Sequence, residues 1–548
     1  MINATAFRNS LIIAIIAFLL FVPFLGAVHL FDWDEINFAE CAREMLVTHD
    51  YFSVKINFQP FWEKPPIFIW MQALSMSVFG VSEFAARLPN AICGIVTLVV
   101  LYNIGRKLVD DKFGMIWALV YASSFLPHFY FKSGIIDPWF NLFIFLGVYY
   151  FILFANTKTI RSLIVSALFI GLGVLTKGPV AVLVLGLCVA VYWIIKRFQP
   201  FMTWKQIAIY ATAVLSVGGM WFLMLVLTGN ASIIKEFFLY QIRLFSTQDA
   251  GHGGPFYYHW VILLVGCFPA SVFALRAFRR NMNDTPFQIL FKLWMIILLL
   301  VVLIVFSIVK TKIVHYSSLC YFPLSYLGGY VVYKLMNGEM MWKKSTSAFL
   351  AIIASLVGIV IAALPLVEKY KQSIINSKLI DDDFAVESLK ANVHWSGMEG
   401  LVGIVLIVGT GLMLWFIGKR KMTIGIVGIF VVSLFTINMA AVVVAPKVEP
   451  YSQGAAIEFY EYLQNKDCYV ETMGFKSYAN LFYSLKKEQA NKNSYDLGYL
   501  LRGDIDKPAY VVIKITDLAD TKKDYPELKE IYRKNGFVFL MRLPKTRI

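Results

Sequence analysis

Apolar runs approaching 20 residues recur along most of the chain, and no other feature narrows the fold as far. "FGMIWALVYASSF", "SALFIGLGVLT" and "GLVGIVLIVGTGLMLWFIG" are examples. A helix of about 20 apolar residues crosses the hydrocarbon core of a bilayer and satisfies its own backbone hydrogen bonds there. Hydrophobic residues make up 59% of the 548 and charged residues only 16%, where a soluble chain carries about 25% charged. Mean hydropathy is +0.66. The chain reads as a mainly α, polytopic membrane protein.

About 13 spans are expected. They lie near 10–30, 88–105, 113–131, 138–155, 162–176, 179–195, 206–228, 257–275, 287–309, 316–333, 346–366, 399–417 and 423–445. With the N-terminus in the cytoplasm, every inward loop is basic: Arg106/Lys107/Lys112, Lys158/Arg161, Lys196/Arg197/Lys205, Arg276/Arg279/Arg280, Lys343/Lys344 and Lys419/Arg420/Lys421. That is the positive-inside pattern. It also accounts for much of the +15 net charge, so the basic balance implies a membrane and not a nucleic acid. Cys41, Cys93, Cys188, Cys267, Cys320 and Cys468 have neither metal nor redox spacing, and four of them lie in apolar runs as packing residues. The N-terminal run has no small-residue cleavage site and reads as a retained span.

An odd number of spans sends the tail from about Ala445 to the outer face, and residues 446–548 read there as a small α/β domain. "GAAIEFYEYLQNK" and "SYANLFYSLKK" are expected helices, and "DCYVETMG", "PAYVVIKI" and "GFVFLMRL" expected strands, with a further helical stretch near Tyr525 to Lys534. The polar loop from about Glu368 to Trp395 belongs outside as well.

The first outward loop, about 31–87, is long. "INFAECAREML" sets Ile36, Ala39, Ala42, Met45 and Leu46 to one side, the pattern of an amphipathic helix along the membrane surface. Residues Glu63 to Gly80 give a second interfacial or re-entrant helix after a Pro-Pro break. Asp34 and Glu35 open the first of these helices. Carboxylates favour helix starts, so a solvated cap is the plain reading and a reacting acid the sharper one. Asp137, before Pro138, is likewise either an N-cap or an acid facing the same cleft.

Cations gather on the outward face, where few are expected. Lys64 follows Glu63 in "FWEKPP", and Lys177 sits in "LTKGPV". Lys310 and Lys312 stand in "VKTKIVHYSS" with His315 and Tyr316, and Arg243 and His252 lie in "YQIRLFSTQDAGHGGPFYYHW". Each alone reads as a snorkelling anchor; together they make a basic rim suited to an anionic lipid headgroup. Gly251, Gly253 and Gly254 give that last loop hinge freedom. There is no P-loop, HExxH or CxxC pair.

In order, the chain carries "DE" in the first outward loop, "EKPP", "ARLPN" at Ala86 to Asn90, "LTKGP", "GGPFYYHW" and "FSIVKTKIVHYSSLCYFP". On these strings it resembles the bacterial branch of the protein mannosyltransferase superfamily, of the GT-C fold class, and is most similar to the lipid A 4-amino-4-deoxy-L-arabinose transferases. The resemblance covers the membrane region through about residue 335. It implies about 13 spans, interfacial helices in the first outer loop and a periplasmic C-terminal domain. It also implies a sugar donor on undecaprenyl phosphate and an acceptor outside the cytoplasmic membrane.

Residue by residue, the resemblance makes Asp34 the central catalytic acid, Glu35 its partner and Asp137 a second acid near the cavity. Lys64 then contacts the donor phosphate, with Tyr316 near it. Two departures touch the presumed donor pocket: Phe61 and Trp62 replace an aromatic hydroxyl before "EKPP", and "KIVHY" stands where the family tends to read "KLPxY". They leave the sugar open.

Transfer from a lipid phosphate needs cations to stabilise the departing phosphate, for which Lys64, Lys310 and Lys312 are candidates. It also needs a carboxylate to orient or deprotonate the acceptor. An anionic lipid A phosphate needs no deprotonation, whereas a serine or threonine hydroxyl does. Rival readings are a hexose transferase acting on protein or surface glycan, a lipid-linked-sugar transporter, and a receptor with an outer sensory domain. Transporters place ionisable groups near mid-membrane in repeated halves, and no repeat is present. No cofactor is required by any motif. A divalent metal held by Asp34, Glu35, Glu63 and His252 stays open, since residues so far apart in sequence fix no coordination.

Overall fold

The computed structural model describes residues 4–246, 253–278, 284–377 and 380–545. Helix α1 (Ala4–Phe21) is followed by three helices that build the first long loop and its exit: α2 (Asp34–Thr48), α3 (Ile67–Phe79) and α4 (Glu83–Leu108). A two-stranded hairpin, β1 (Lys55–Ile56) and β2 (Gln59–Pro60), joins α2 to α3. Its two loop residues, Asn57 and Phe58, both have positive φ, 55° and 56°, as the tight twisted turns of two-residue hairpins require.

The bundle continues with α5 (Asp111–Ala122), α6 (Phe125–Tyr130), α7 (Asp137–Thr157), α8 (Ile160–Lys177) and α9 (Val180–Ile195), and then α10 (Trp204–Gly218), α11 (Met220–Leu227) and α12 (Ser232–Ser246). It is completed by α13 (Tyr258–Gly266), α14 (Ala270–Ala274), α15 (Pro286–Ile308), α16 (Tyr321–Met336), α17 (Lys344–Asn376), α18 (Asp383–Ser388), α19 (Leu401–Gly418) and α20 (Met422–Met439).

Each stretch expected to span contains helix, but not all are single rods, and α1 stops at Phe21 although the expected span runs to residue 30. Among the described residues eight helices are long and apolar enough to cross a membrane alone, and α10 with α11 makes a ninth, bent by 53°. The stretch 113–131 is split at Ser123–Ser124 into α5 and α6, and 257–275 is split into α13 and α14 by Cys267 to Pro269. A 3-10 turn, Val314–Cys320, precedes α16. The breaks at 309–320 and between α8 and α9 lie on the face where the first loop packs. The basic clusters beside α4, α7, α9, α17 and α19 lie at the opposite helix ends, as the orientation argument expects; Arg279 and Arg280 lie outside the described residues.

Beyond α20 the chain forms a four-stranded sheet of order β3-β4-β6-β5, built from β3 (Tyr469–Thr472), β4 (Ala509–Lys514), β5 (Lys529–Lys534) and β6 (Phe537–Arg542). Strands β3 and β4 are parallel and the other pairs antiparallel. The helix Gly454–Tyr462 and the turn Ala479–Phe482 cover one face. The expected helix near Tyr525 to Lys534 is therefore corrected: its second half is the edge strand β5. Asn535 and Gly536, both at positive φ, form the Asn-Gly turn of a hairpin. Tyr532 packs on Phe539 at 4.5 Å, and charged residues keep this edge polar.

Helix α2 also departs from expectation. It does not lie along a membrane surface with its polar side in water, since every residue from Glu35 to Met45 is buried. Ile36, Ala39, Ala42 and Met45 share one apolar core with Ala455, Phe459, Phe482 and Val512 of the C-terminal unit. Its polar residues are matched inside that interface. Arg43 donates to both oxygens of Glu40 at 2.6 and 2.7 Å, and to the Lys486 carbonyl at 2.8 Å. The first loop and the C-terminal unit thus fold as one layer over the bundle. Further ties are Leu30 N to the Tyr483 hydroxyl (2.7 Å), Gln453 Nε2 to the Leu30 carbonyl (2.6 Å), and His29 to Glu449 (3.2 Å).

One arginine serves two glutamates in this layer, and the remaining carboxyl holds a proton. Burial, reinforced by Glu40, pushes Glu44 up to about 9. A raised folded-state value means that its contribution is present below the ordinary glutamate range and is lost as pH climbs towards 9. Glu44→Gln mimics the protonated carboxyl. We expect its melting temperature to gain on the wild type steadily from pH 5.5 to 8.5, read by thermal unfolding in detergent. A pH-independent difference between the two proteins would show that Glu44 is ionised in the fold.

Candidate functional site

The site is built from the exit of α1 upward. Arg87, in the first turns of α4, reaches back to the chain leaving α1 and donates to the carbonyls of Leu25, Val28 and His29 at 2.7–2.9 Å. Its Nε and Nη2 grip the two oxygens of Glu35 at 3.0 and 2.8 Å. The same carboxylate accepts from Phe31 N at 2.8 Å and from Gly134 N. Glu35 is 3% exposed and fully committed, so its role is to hold the loop and not to meet a reactant. The segment it reaches, 133–136, is pinned further by Asn90 Nδ2, which donates to the carbonyls of Ser133 and Ile135 at 2.6 Å.

Consecutive residues of a helix point about 100° apart. With Glu35 turned inward, Asp34 faces the cleft, where its side chain is 31% exposed and its Oδ2 lies 3.3 Å from His315 Nε2. His315 comes from the 3-10 turn after α15, and the Ser318 hydroxyl, which donates to the His315 carbonyl at 2.5 Å, steadies that turn. Asn141 of α7 donates to the same hydroxyl at 2.8 Å. Burial holds the His315 imidazole below the usual histidine range, with Lys177 and Lys64 acting in the same direction and Asp137 and Asp34 opposing. The direction of that shift favours the neutral imidazole.

Asp137 is the first residue of α7 and does not cap it. Its carboxylate, 3% exposed, takes the Lys177 ammonium at 2.7 Å. Lys177 also lies over the rings of Tyr316 (5.5 Å) and Phe140 (5.7 Å). Gly178 is required at that corner: its φ is +91°, and a Cβ there would meet Phe237 at 2.6 Å.

Lys64 stands over the Tyr240 ring at 5.3 Å, and Arg243 stacks on that ring at 5.2 Å. The Tyr240 hydroxyl donates to Glu63 at 2.9 Å. Among the described residues Lys64 makes no ion pair. Burial lowers its ammonium below the usual lysine range; the charge of Lys177 adds to that, while Glu63, Asp34 and Asp137 oppose it. Asp34, Asp137, Lys64, Lys177, Glu63 and His315 thus feel one another in a single cleft.

The structure does not bring every candidate there. The Lys312 ammonium donates to the carbonyls of Phe306, Ser307 and Val309 at 2.5–3.1 Å, closing the C-terminus of α15. Lys310 is exposed beside it. His252 lies outside the described residues. No group of three or more His, Cys, Asp or Glu among the described residues is arranged to hold a metal ion. Arg87 and Tyr240 were not among the expected site residues. The signal for Arg87 was present, since "ARLPN" puts a cation at an outward span end.

Residues 63–228 match the dolichyl-phosphate-mannose-protein mannosyltransferase family, a segment that runs from Glu63 through Asp137 and Lys177. A protein of Aquifex aeolicus (strain VF5) described as uncharacterized is 27% identical over 60% of this chain and 74% of its own. The undecaprenyl phosphate-alpha-4-amino-4-deoxy-L-arabinose arabinosyl transferase of Pseudomonas aeruginosa (strain UCBPP-PA14) is 30% identical, over 59% of this chain and 60% of its own length. The sequence match to that transferase therefore covers less than two thirds of it. The crystal structure of ArnT from Cupriavidus metallidurans bound to undecaprenyl phosphate superposes with a TM-score of 0.75 at 16% identity, covering 98% of both chains. The chain thus shares the fold of that structure from end to end, and over about 60% of its length it is similar in sequence to the bacterial aminoarabinose transferases.

Proposed function

We propose that the chain is an integral-membrane glycosyltransferase that moves a sugar from undecaprenyl phosphate to lipid A on the periplasmic face. The observation that carries this reading is the pairing of Lys64, a half-buried cation that makes no ion pair among the described residues, with the outward-facing Asp34 in one cleft. The names of the similar proteins support it: one is an arabinosyl transferase using an undecaprenyl phosphate-linked donor, and another was solved with undecaprenyl phosphate bound. The cytoplasmic N-terminus and periplasmic C-terminal unit follow from the basic clusters.

In the transfer, the bond between the anomeric carbon and the donor phosphate oxygen breaks, and its electron pair leaves with undecaprenyl phosphate. A new bond forms from the acceptor oxygen to the anomeric carbon. Lys64, desolvated and close to Lys177, meets the charge that grows on the leaving phosphate; a preformed cation in a poorly solvated site is worth most at that moment. Asp34 stands on the acceptor side. A lipid A phosphate arrives as an anion, so Asp34 then orients the sugar and balances positive charge at the anomeric carbon. His315, with Nε2 3.3 Å from Asp34 Oδ2, stands against the Asp34 carboxylate. The Asp137–Lys177 pair holds Lys177 beneath the donor and keeps its ammonium from leaving the cleft.

Mass spectrometry of lipid A from cells with and without the chain tests the assignment. We expect a pentosamine-sized adduct that requires the chain and disappears with Asp34→Asn at unchanged expression. An unchanged lipid A profile would reject this acceptor. In purified protein, Lys64→Ala is expected to lower kcat/KM for the donor about tenfold or more, the worth of one charge-assisted hydrogen bond, with acceptor KM unaltered. A donor kcat/KM equal to wild type would remove Lys64 from the phosphate site.

A further inference from the structure

A cavity of about 420 Å³ opens where the β1–β2 hairpin meets the C-terminal unit, between Asn57 and the segment from Glu471 to Leu481. Two buried side-chain oxygens on its wall, Asn57 Oδ1 and Asn480 Oδ1, have no hydrogen-bond donor among the described residues. Asn480 is 1% exposed, and its amide nitrogen is already engaged with the Val470 carbonyl and Glu471, so the free oxygen is held in place. Buried acceptors of this kind are costly unless something donates to them.

The rest of the wall is chemically distinct. Lys476 is exposed, with its ammonium 4.4 Å over the Trp33 ring and 5.5 Å from the Tyr478 ring. Ser477 and Tyr478 N both engage the Asp32 carboxylate, the latter at 3.5 Å. The loop requires a glycine at its turn: Gly474 sits at φ +81°, and a Cβ there would meet Asp517 Oδ2 at 2.2 Å. Asp32 and Trp33 immediately precede Asp34. Burial and the carboxylates of Glu63, Asp32 and Asp34 push the Tyr478 hydroxyl above its ordinary value, which puts this wall beside the reacting cleft.

Fixed carbonyl acceptors suit sugar hydroxyls or an N-acyl N–H, an aromatic wall suits a pyranose face, and an exposed lysine suits a phosphate. We infer that this pocket is the acceptor subsite and takes a phosphate-bearing saccharide headgroup, with the C-terminal unit supplying the recognition surface. The inference rests on the transferase reading for the identity of the acceptor, but it concerns binding and is separable from turnover.

The test is equilibrium binding of labelled lipid A to the full-length protein in phosphatidylcholine nanodiscs. Lys476→Glu should weaken binding about tenfold or more, Lys476→Arg should keep it within about threefold, and both should bind undecaprenyl phosphate as wild type does. Dephosphorylated lipid A should bind wild type about as weakly as lipid A binds Lys476→Glu. Asp34→Asn should bind lipid A normally while failing to transfer. Wild-type affinity in Lys476→Glu, or no lipid A binding by the wild type, would overturn the subsite. Lipid A binding that depends on Lys476, in a protein that transfers no sugar, would leave the subsite standing and reject the transferase reading.

Discussion

The buried ion pair between Glu35 and Arg87 is the joint on which the domain-bearing face of this protein is assembled. It joins the exit of α1, the start of α2, the entry of α4 and the segment before α7, through hydrogen bonds that use both oxygens of the carboxylate and all three nitrogens of the guanidinium. Removing one partner of such a pair leaves a buried charge and costs about 3–5 kcal/mol. Its geometry also sets the chemistry. Because neighbours on a helix diverge, anchoring Glu35 inward turns Asp34 to the cleft. The same segment that Glu35 and Asn90 pin delivers Asp137 to Lys177.

Around that joint the charges divide by function. Lys177 is neutralised by Asp137 and Lys312 is consumed by helix carbonyls, which leaves Lys64 as the lysine in the cleft with capacity for an incoming anion. The C-terminal unit packs on the segment that carries Asp34 instead of standing apart from it. Its core is continuous with α2, and its loop at Ser477 and Tyr478 holds Asp32, two residues from Asp34. The helical bundle and the C-terminal unit are thereby joined through five consecutive residues, Phe31 to Glu35.

Much of this was legible in the sequence, for identifiable reasons. Apolar runs report the membrane-crossing helices directly, and the ordered strings "DE", "EKPP" and "LTKGP" do come together in space. What periodicity could not separate was Asp34 from Glu35, because the difference lies in an arginine 52 residues away. The amphipathic pattern of α2 was read as a surface helix; its polar side is instead buried against Lys486, a partner supplied from the far end of the chain. Lys312 is adjacent to the site in sequence yet turned to a helix end. The β5 strand was missed although "KNGF" carries the turn signal, since a short charged edge strand has little apolar alternation.

The most direct test of this account is the kinetics of Glu35→Gln in lipid-reconstituted protein. The amide nitrogen of glutamine would face either Gly134 N and Arg87 Nε or Phe31 N and Arg87 Nη2, so the joint cannot close as before. A displacement of about 1 Å at a reacting group costs about 100-fold in rate. We expect kcat to fall about 100-fold while the variant binds donor within about twofold of wild type, which shows that it is folded. Turnover at the wild-type rate would mean that the Glu35–Arg87 pair does not position Asp34, and the account of the site would fail.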